Sequence, residues 1–207
     1  MRPTYKTLVG ILISLLFATE GLTQPLAPIE LPALSQCRLE SDTAYSRGLQ
    51  LQSWLSRAEQ KDPLASFCLA YVPNGGNEAT SVGWLEQAAI LNLPDAQLLL
   101  ATDYEVGFRF PRNFKLALEW YHRAANQDFP YAQFELASIY FQGRAGEKPN
   151  IPEAYFWNLL AARHQFLSAQ ALMPELEKQL TDKQRQQIRA RATAWHPPSK
   201  GRRAGNP

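Results

Sequence analysis

Residues 120–143 read WYHRAANQDFPYAQFELASIYFQG, and residues 84–107 read WLEQAAILNLPDAQLLLATDYEVG. Laid over one another at an offset of 36, they share Trp84 with Trp120, Ala88-Ala89 with Ala124-Ala125, and Ala96-Gln97 with Ala132-Gln133. Leu100-Ala101 then falls on Leu136-Ala137, Tyr104 on Tyr140 and Gly107 on Gly143. A third copy begins at Trp157, with Ala161-Ala162 and Ala169-Gln170 at an offset of 37, and a degenerate one at Trp54 with Ala58. So many shared offsets mark a repeat, and periods of 20 to 50 residues point to a stacked array.

Each unit reads as two short antiparallel helices. In Phe114–Asn126, the residues Ala117, Trp120, Tyr121, Ala124 and Ala125 share one side at helical spacing. Tyr131–Gln142 repeats the pattern with Ala132, Leu136, Ala137 and Tyr140. Between them Gln127–Pro130 forms a tight turn whose proline opens the second helix, and Gly143 closes that helix. Alanines at the crossings let backbones approach, while Trp and Tyr fill the wedges. A pair of this kind leaves one apolar face open and must stack on the next, which gives a solenoid. The expected repeat core is Trp84, Ala88, Ala89, Trp120, Ala124, Ala125, Trp157, Ala161 and Ala162.

The units fall at about 80–107, 113–143 and 152–180, with the degenerate one at 42–72, so the solenoid spans 41–180. In the last unit Met173-Pro174 stands where Leu-Ala is expected and Glu177 replaces the repeat tyrosine; the proline predicts a kink or stop near 173. A capping helix is expected over 181–196, opened by a capping box of Thr181 and Gln184 and carrying Ile188, Ala192 and Trp195 as its apolar stripe. His196-Pro197-Pro198 stops it, and 197–207 reads as a disordered basic tail.

The amino-terminal residues differ from the rest. Arg2 and Lys6 precede the apolar run Leu8–Ala18, and small or polar residues follow, so 1–23 reads as a secretory signal peptide cleaved near Thr19–Gly21. The other reading is a membrane anchor, but eleven apolar residues span only about half of a bilayer core. Residues 24–40 form a proline-rich segment, its stretch from Gln24 to Pro32 reading QPLAPIELP, an extended tether that cannot hold a helix.

Composition narrows the function classes. The chain has 207 residues, 45% of them apolar, enough for a sizeable core and against global disorder. Its net charge of +2 is too balanced for a dedicated nucleic-acid binder. Residues 22–182 carry 12 basic and 18 acidic side chains, whereas 183–207 carry seven basic ones (Lys183, Arg185, Arg189, Arg191, Lys200, Arg202, Arg203) and no acidic ones. That stretch is read as a solvated helix face and tail, or as a weak contact with an anionic surface.

The residues W-[YLN]-x-x-A-A followed by A-Q-x-x-L-A-x-x-Y-x-x-G resemble the Sel1-like repeats, relatives of the tetratricopeptide repeats, over about 84–180 and in degenerate form over 42–72. The resemblance implies an all-α, right-handed α/α solenoid with a C-terminal capping helix. It also implies a non-enzymatic adaptor or scaffold, in many bacterial members secreted or periplasmic. The expected partner is a protein or peptide of the bacterial envelope, and the expected state a monomer. The alternative is a protein that binds cell-wall glycan or another envelope polysaccharide, since groove aromatics stack on sugar rings.

Other chemistry finds little support. Cys37 and Cys68, the only cysteines, read as a disulfide in an exported chain, worth about 3–4 kcal/mol in the chain-entropy model, or as two buried thiols; an active thiol is the least favoured reading. Some secreted members of the resembled family also stitch their repeats with disulfides. His122, His164 and His196 show no metal-ligand spacing and read as surface or helix-end residues, so neither metal nor cofactor is expected. Gly75-Gly76 lies in a turn with no phosphate-loop lysine after it. Glu119, Glu135 and Glu153 read as a solvated face.

In tetratricopeptide-like arrays the first helix of each pair lines the concave face, and that first helix is the one carrying the Leu-Ala crossing, so the pairs are counted from it. Projecting outward from Leu136-Ala137 places Tyr131, Phe134, Ser138 and Phe141 in that groove, with Asp95, Leu98, Thr102 and Glu105 at the same positions one unit earlier. These eight form the expected partner-binding groove, suited to an extended segment with apolar anchors and basic flanks. The competing reading packs the aromatics under helix 182–195.

Overall fold

A computed structural model describes residues 31–39, 44–71 and 78–198. The expected signal peptide, most of the proline-rich segment, Gly75-Gly76 and the end of the basic tail lie outside the described residues. Ten α-helices and no strands occur among them: α1 (Pro32–Leu39), α2 (Ala44–Glu59), α3 (Pro63–Tyr71), α4 (Glu78–Ile90), α5 (Pro94–Val106), α6 (Phe114–Ala125), α7 (Pro130–Gln142), α8 (Ile151–Arg163), α9 (Leu167–Lys178) and α10 (Asp182–Ala194). The chain is an all-α solenoid, as its repeat requires.

From α3 onward the helices pair as α3/α4, α5/α6 and α7/α8, each packing tightly within its pair and then on the next. α7 touches α9 and α8 touches α10, so first helices form one row and second helices the other. The crossings are made by buried alanines: Ala88, Ala89, Ala96, Ala101, Ala124, Ala125, Ala132, Ala137 and Ala161 all lose their surface to water. With no side chain beyond Cβ, these positions let helix axes close in and bring larger neighbours into dispersion contact.

The repeat also recurs in the backbone. Every turn from a second helix into the next first helix passes through one non-glycine residue at positive φ: Lys61, Asn92, Asp128 and Gln165. Asn and Asp tolerate this region best, because their short side chains bond locally. Pro94 and Pro130 open α5 and α7, where a missing N–H costs nothing. Asn113 and Asn150 cap α6 and α8, each accepting a backbone N–H three residues on, at 3.1 and 3.3 Å. Gly143 ends α7 at φ 69°, and a Cβ there would lie 2.4 Å from Pro149 Cδ, so only glycine fits.

The Ala-Gln pair has a function of its own. Gln97 Nε2 donates to the Ala89 carbonyl at 3.0 Å, and Gln133 Nε2 donates to that of Ala125 at 3.3 Å. Each glutamine thus adds a second bond to a carbonyl at the end of the preceding second helix, which already accepts the Asn92 or Asp128 N–H at 3.1 Å, and ties one unit to the next.

Three expectations need correction. α9 runs through Pro174 to Lys178 rather than stopping near 173. Pro174 removes the bond to the Gln170 carbonyl, but both residues are exposed, so water can take that carbonyl. Trp84 and Trp120 are only half-buried, as is Ala162; the fully buried aromatic of α6 is Tyr121, one residue further round the helix. Trp120 instead lies at the edge with the Arg123 guanidinium 4.4 Å from its ring. Of the three tryptophans, Trp157 is buried.

α10 is capped as expected, Thr181 and Gln184 exchanging both bonds of a capping box. It packs on α8 and buries Ile188 and Ala192. Arg163 donates to the Ala192 carbonyl.

Candidate interaction face

The first-helix row is where the sequence places a working surface, and the structure divides the eight expected residues. Asp95, Leu98, Glu105, Phe134 and Ser138 are buried, which corrects their placement in an open groove; Thr102, Tyr131 and Phe141 are half-buried. Two of the aromatics pack toward α9. Phe134 and Tyr131 meet Phe166, which leads into α9, with ring centroids 5.4 and 5.0 Å away. Because α9 packs on α7, these rings fill the wedge between two units and supply stacking area.

Glu105 belongs to a buried polar cluster that spans two units. Arg144, just after α7, donates to Glu105 at 2.6 Å and to Glu135 at 2.5 Å. The Tyr121 hydroxyl donates to the other Glu105 oxygen at 2.7 Å, and Thr102 Oγ1 lies 3.1 Å from that hydroxyl. Glu135 is therefore a buried partner of Arg144 and not part of a solvated face. Burial raises its carboxyl, partly offset by Arg144. Burial, the Glu105 charge and the Glu135 charge together lift the Tyr121 phenol well above its ordinary range, so it stays a neutral donor. Two carboxylates sharing one bidentate guanidinium make a rigid clamp. Nothing in the repeat offsets announced Arg144, because the residue aligned with Glu105 one unit on is Phe141.

A second buried pair closes the neighbouring loop, Arg109 Nε donating to Asp103 at 2.6 Å. Burial holds the Asp103 carboxyl at about 6, above its ordinary 3.8, against the pull of Arg109. A carboxyl raised in the folded state binds its proton more tightly there than in the unfolded chain. Its contribution to stability is thus present at low pH and is lost as pH rises from about 3.8 to about 6. Asp103→Asn is expected to flatten that limb of stability against pH, measured by urea unfolding on either side of the window; an unchanged slope counts against this.

The histidines are engaged. Half-buried His122 lies with Nε2 3.2 Å from the Tyr140 hydroxyl and its ring edge-on to Trp157, which corrects its placement on the surface. Burial holds its ring below the ordinary 6.5. His164 Nε2 lies 3.0 Å from Asp128 Oδ1. Among the described residues no cluster of His, Cys, Asp and Glu is arranged to hold a metal ion, and no helix is long and apolar enough to cross a membrane.

The basic C-terminal stretch is compensated in part. Arg185 pairs with Asp182, Arg189 with Glu177, and Arg191 with Glu153 while lying 3.8 Å over the Phe156 ring. Three of its seven cations therefore face carboxylates of this chain, which weakens the reading of an anionic surface contact.

The feature absent from the sequence reading is α1. It begins on Pro32, as a helix can, and packs on α3. Its Ala33 N–H donates to Asp95 Oδ1 at the start of α5, at 3.0 Å, and Cys37 is bonded to Cys68 on α3. Leu31, Ala33 and Cys37 are buried. A short helix thus lies against two first helices of the array, its positive end on a buried carboxylate.

Comparison with known proteins agrees with the repeat. Residues 94–129 and 130–166 each match the model of the Sel1 repeat. The chain is similar to a solved Sel1 repeat protein from Oxalobacter formigenes, with 31% identity and a TM-score of 0.56, covering 60% of this chain and 97% of that one. It is also similar to c5321, a protective antigen present in uropathogenic Escherichia coli strains displaying an SLR fold, with 25% identity and a TM-score of 0.64 over 77% of this chain. The match spans 37% of that antigen's chain. No curated protein matches this sequence.

Proposed function

Because the chain belongs to the Sel1 repeat family, whose members generally act as protein-interaction scaffolds, we propose that it is an exported, non-enzymatic scaffold that binds a protein or peptide of the bacterial envelope on its first-helix face. One observation carries this reading. α1 lies on that face, buries Leu31, Ala33 and Cys37 there, and places a backbone N–H on Asp95. The face therefore accepts a helical segment through apolar contacts and one charge-assisted bond. The cystine between Cys37 and Cys68 suits an oxidising compartment, and the apolar run Leu8–Ala18 suits export to one.

Further along the row, Thr102, Tyr131 and Phe141 remain partly accessible and offer apolar contact area to the partner. Site-specific photo-crosslinking in living cells tests this. A crosslinker at Thr102 or Phe141 is expected to give discrete protein adducts in the envelope fraction, and one at exposed Lys115 on the second-helix row none. Adducts from Lys115 alone would move the site to the opposite face. Adducts to glycan rather than protein would favour the polysaccharide reading.

A further inference from the structure

α1 does not pack as the second helices α4, α6 and α8 do. α4, α6 and α8 each pack on the first helix of their own pair, whereas the packing partner of α1 is α3, and its first turn reaches Asp95 on α5. It therefore touches two of the first helices. At eight residues it is shorter than the roughly 12–15 needed for an isolated helix to persist in water. Three ties hold it: the Asp95 bond at its first turn, the cystine at its last, and the buried side chains of Leu31, Ala33 and Cys37. Ala33 and Cys37 are four residues apart and so share one side of the helix.

We propose that α1 is a built-in ligand of the interaction face, held there by the Cys37–Cys68 bond, and that opening this bond exposes a docking site for an incoming amphipathic helix. The incoming helix takes the place of α1: its first-turn N–H groups meet the Asp95 carboxylate, and small apolar residues at i and i+4 replace Ala33 and Cys37. This rests on the first-helix face being the interaction surface. The opening agent is a dithiol reductant. Its thiolate attacks one sulfur of the cystine to give a mixed disulfide and releases the other cysteine as a thiolate. The second thiol of the reductant then displaces the remaining cysteine. The protein gains two electrons and two protons, and the reductant leaves as a disulfide. Cys68, buried on α3, stays in the site, while Cys37 departs with α1.

The loss of the bond removes the one covalent tie on a segment otherwise held by local contacts, so its amides should exchange by a local opening and not by global unfolding. The experiment compares hydrogen exchange of the full chain with its cystine intact and after reduction by a dithiol. It adds a fluorescent peptide of residues 31–39 carrying C37S as probe. Amides of Ala33–Cys37 are expected to exchange about tenfold faster or more on reduction, while those of α5 and α7 keep their protection. The probe is expected to bind the reduced chain and not the oxidised one, and D95A to abolish that binding in a chain whose melting temperature is measured alongside. If reduction leaves α1 protected, or loosens α5 and α7 together with it, α1 is a fixed part of the core and the proposal is overturned. If α1 opens but the probe does not bind, the site does not accept an incoming helix and the proposal is again overturned. Because the probe derives from this chain, the result is independent of whether crosslinking at Thr102 or Phe141 finds a partner.

Discussion

Arg144→Met is expected to lower the free energy of unfolding by about 3–5 kcal/mol at neutral pH. Arg144 is the single cation between Glu105 and Glu135, and all three side chains are withdrawn from water. Methionine keeps much of the apolar stem but leaves two carboxylates facing each other in a site that cannot solvate them. The loss should shrink in mild acid. Glu135 is already raised by burial in the intact protein, and without Arg144 its proton is held more tightly still, which neutralises the offending charge. A triple variant with Glu105→Gln and Glu135→Gln added should recover much of the stability, because polar amides replace unpaired charges. Urea unfolding at two pH values measures all of this; a loss below about 1 kcal/mol at neutral pH would mean that Arg144 is mainly a surface residue with a flexible partner.

Tyr121→Ala should cost a similar amount, about 3–5 kcal/mol, by opening a cavity of aromatic size where α5 and α6 cross. Tyr121 has no exposed surface, and its hydroxyl contributes one of the bonds that fix Glu105. Its neighbour provides the control. Trp120→Ala, half-buried beneath Arg123, should cost only about 1–2 kcal/mol, since less area leaves water on folding. Equal melting temperatures for the two variants would show that the inward face of α6 has been assigned to the wrong side. Tyr121→Phe separates the two parts of the effect: it keeps the ring and removes the hydroxyl with its bonds to Glu105 and Thr102, for a loss of about 1 kcal/mol.

Much of the fold was legible in the sequence because alanine at a helix crossing has few substitutes. Ala88, Ala124 and Ala161 recur with their neighbours at offsets of 36 and 37, and the helices form where that pattern puts them. Which aromatic points inward was less legible. Trp120 is the larger and more recurrent residue, but a turn of about 100° per residue puts its neighbour Tyr121 into the core instead. Two kinds of feature left no trace in the period. Arg144 lies in a loop whose neighbour-unit counterpart differs, and its partners come from two helices, so only three-dimensional proximity reveals the clamp. α1 stands in a proline-rich stretch that reads as extended, whereas a proline at the first helical position is compatible with a helix that tertiary contacts then stabilise. Phe134 left the expected groove for a related reason: stacking of α9 on α7 buries an aromatic that a single unit leaves open, while Thr102, Tyr131 and Phe141 stay partly accessible. The disulfide, in contrast, was suggested by two cysteines in a chain whose Leu8–Ala18 run reads as an export signal.

The two ends of the array are closed by different chemistry. At the first end Cys37 is covalently joined to Cys68, a tie indifferent to dissolved ions. At the last, α10 is steadied on its outer side by Arg189 with Glu177 and Arg191 with Glu153, pairs open to solvent that weaken as ionic strength rises. In a stack where each unit contacts only its neighbours, the weaker terminus is where melting begins. Concentrated salt therefore frays the last helix before the first, and gives nearly interchangeable repeats a preferred direction of unzipping.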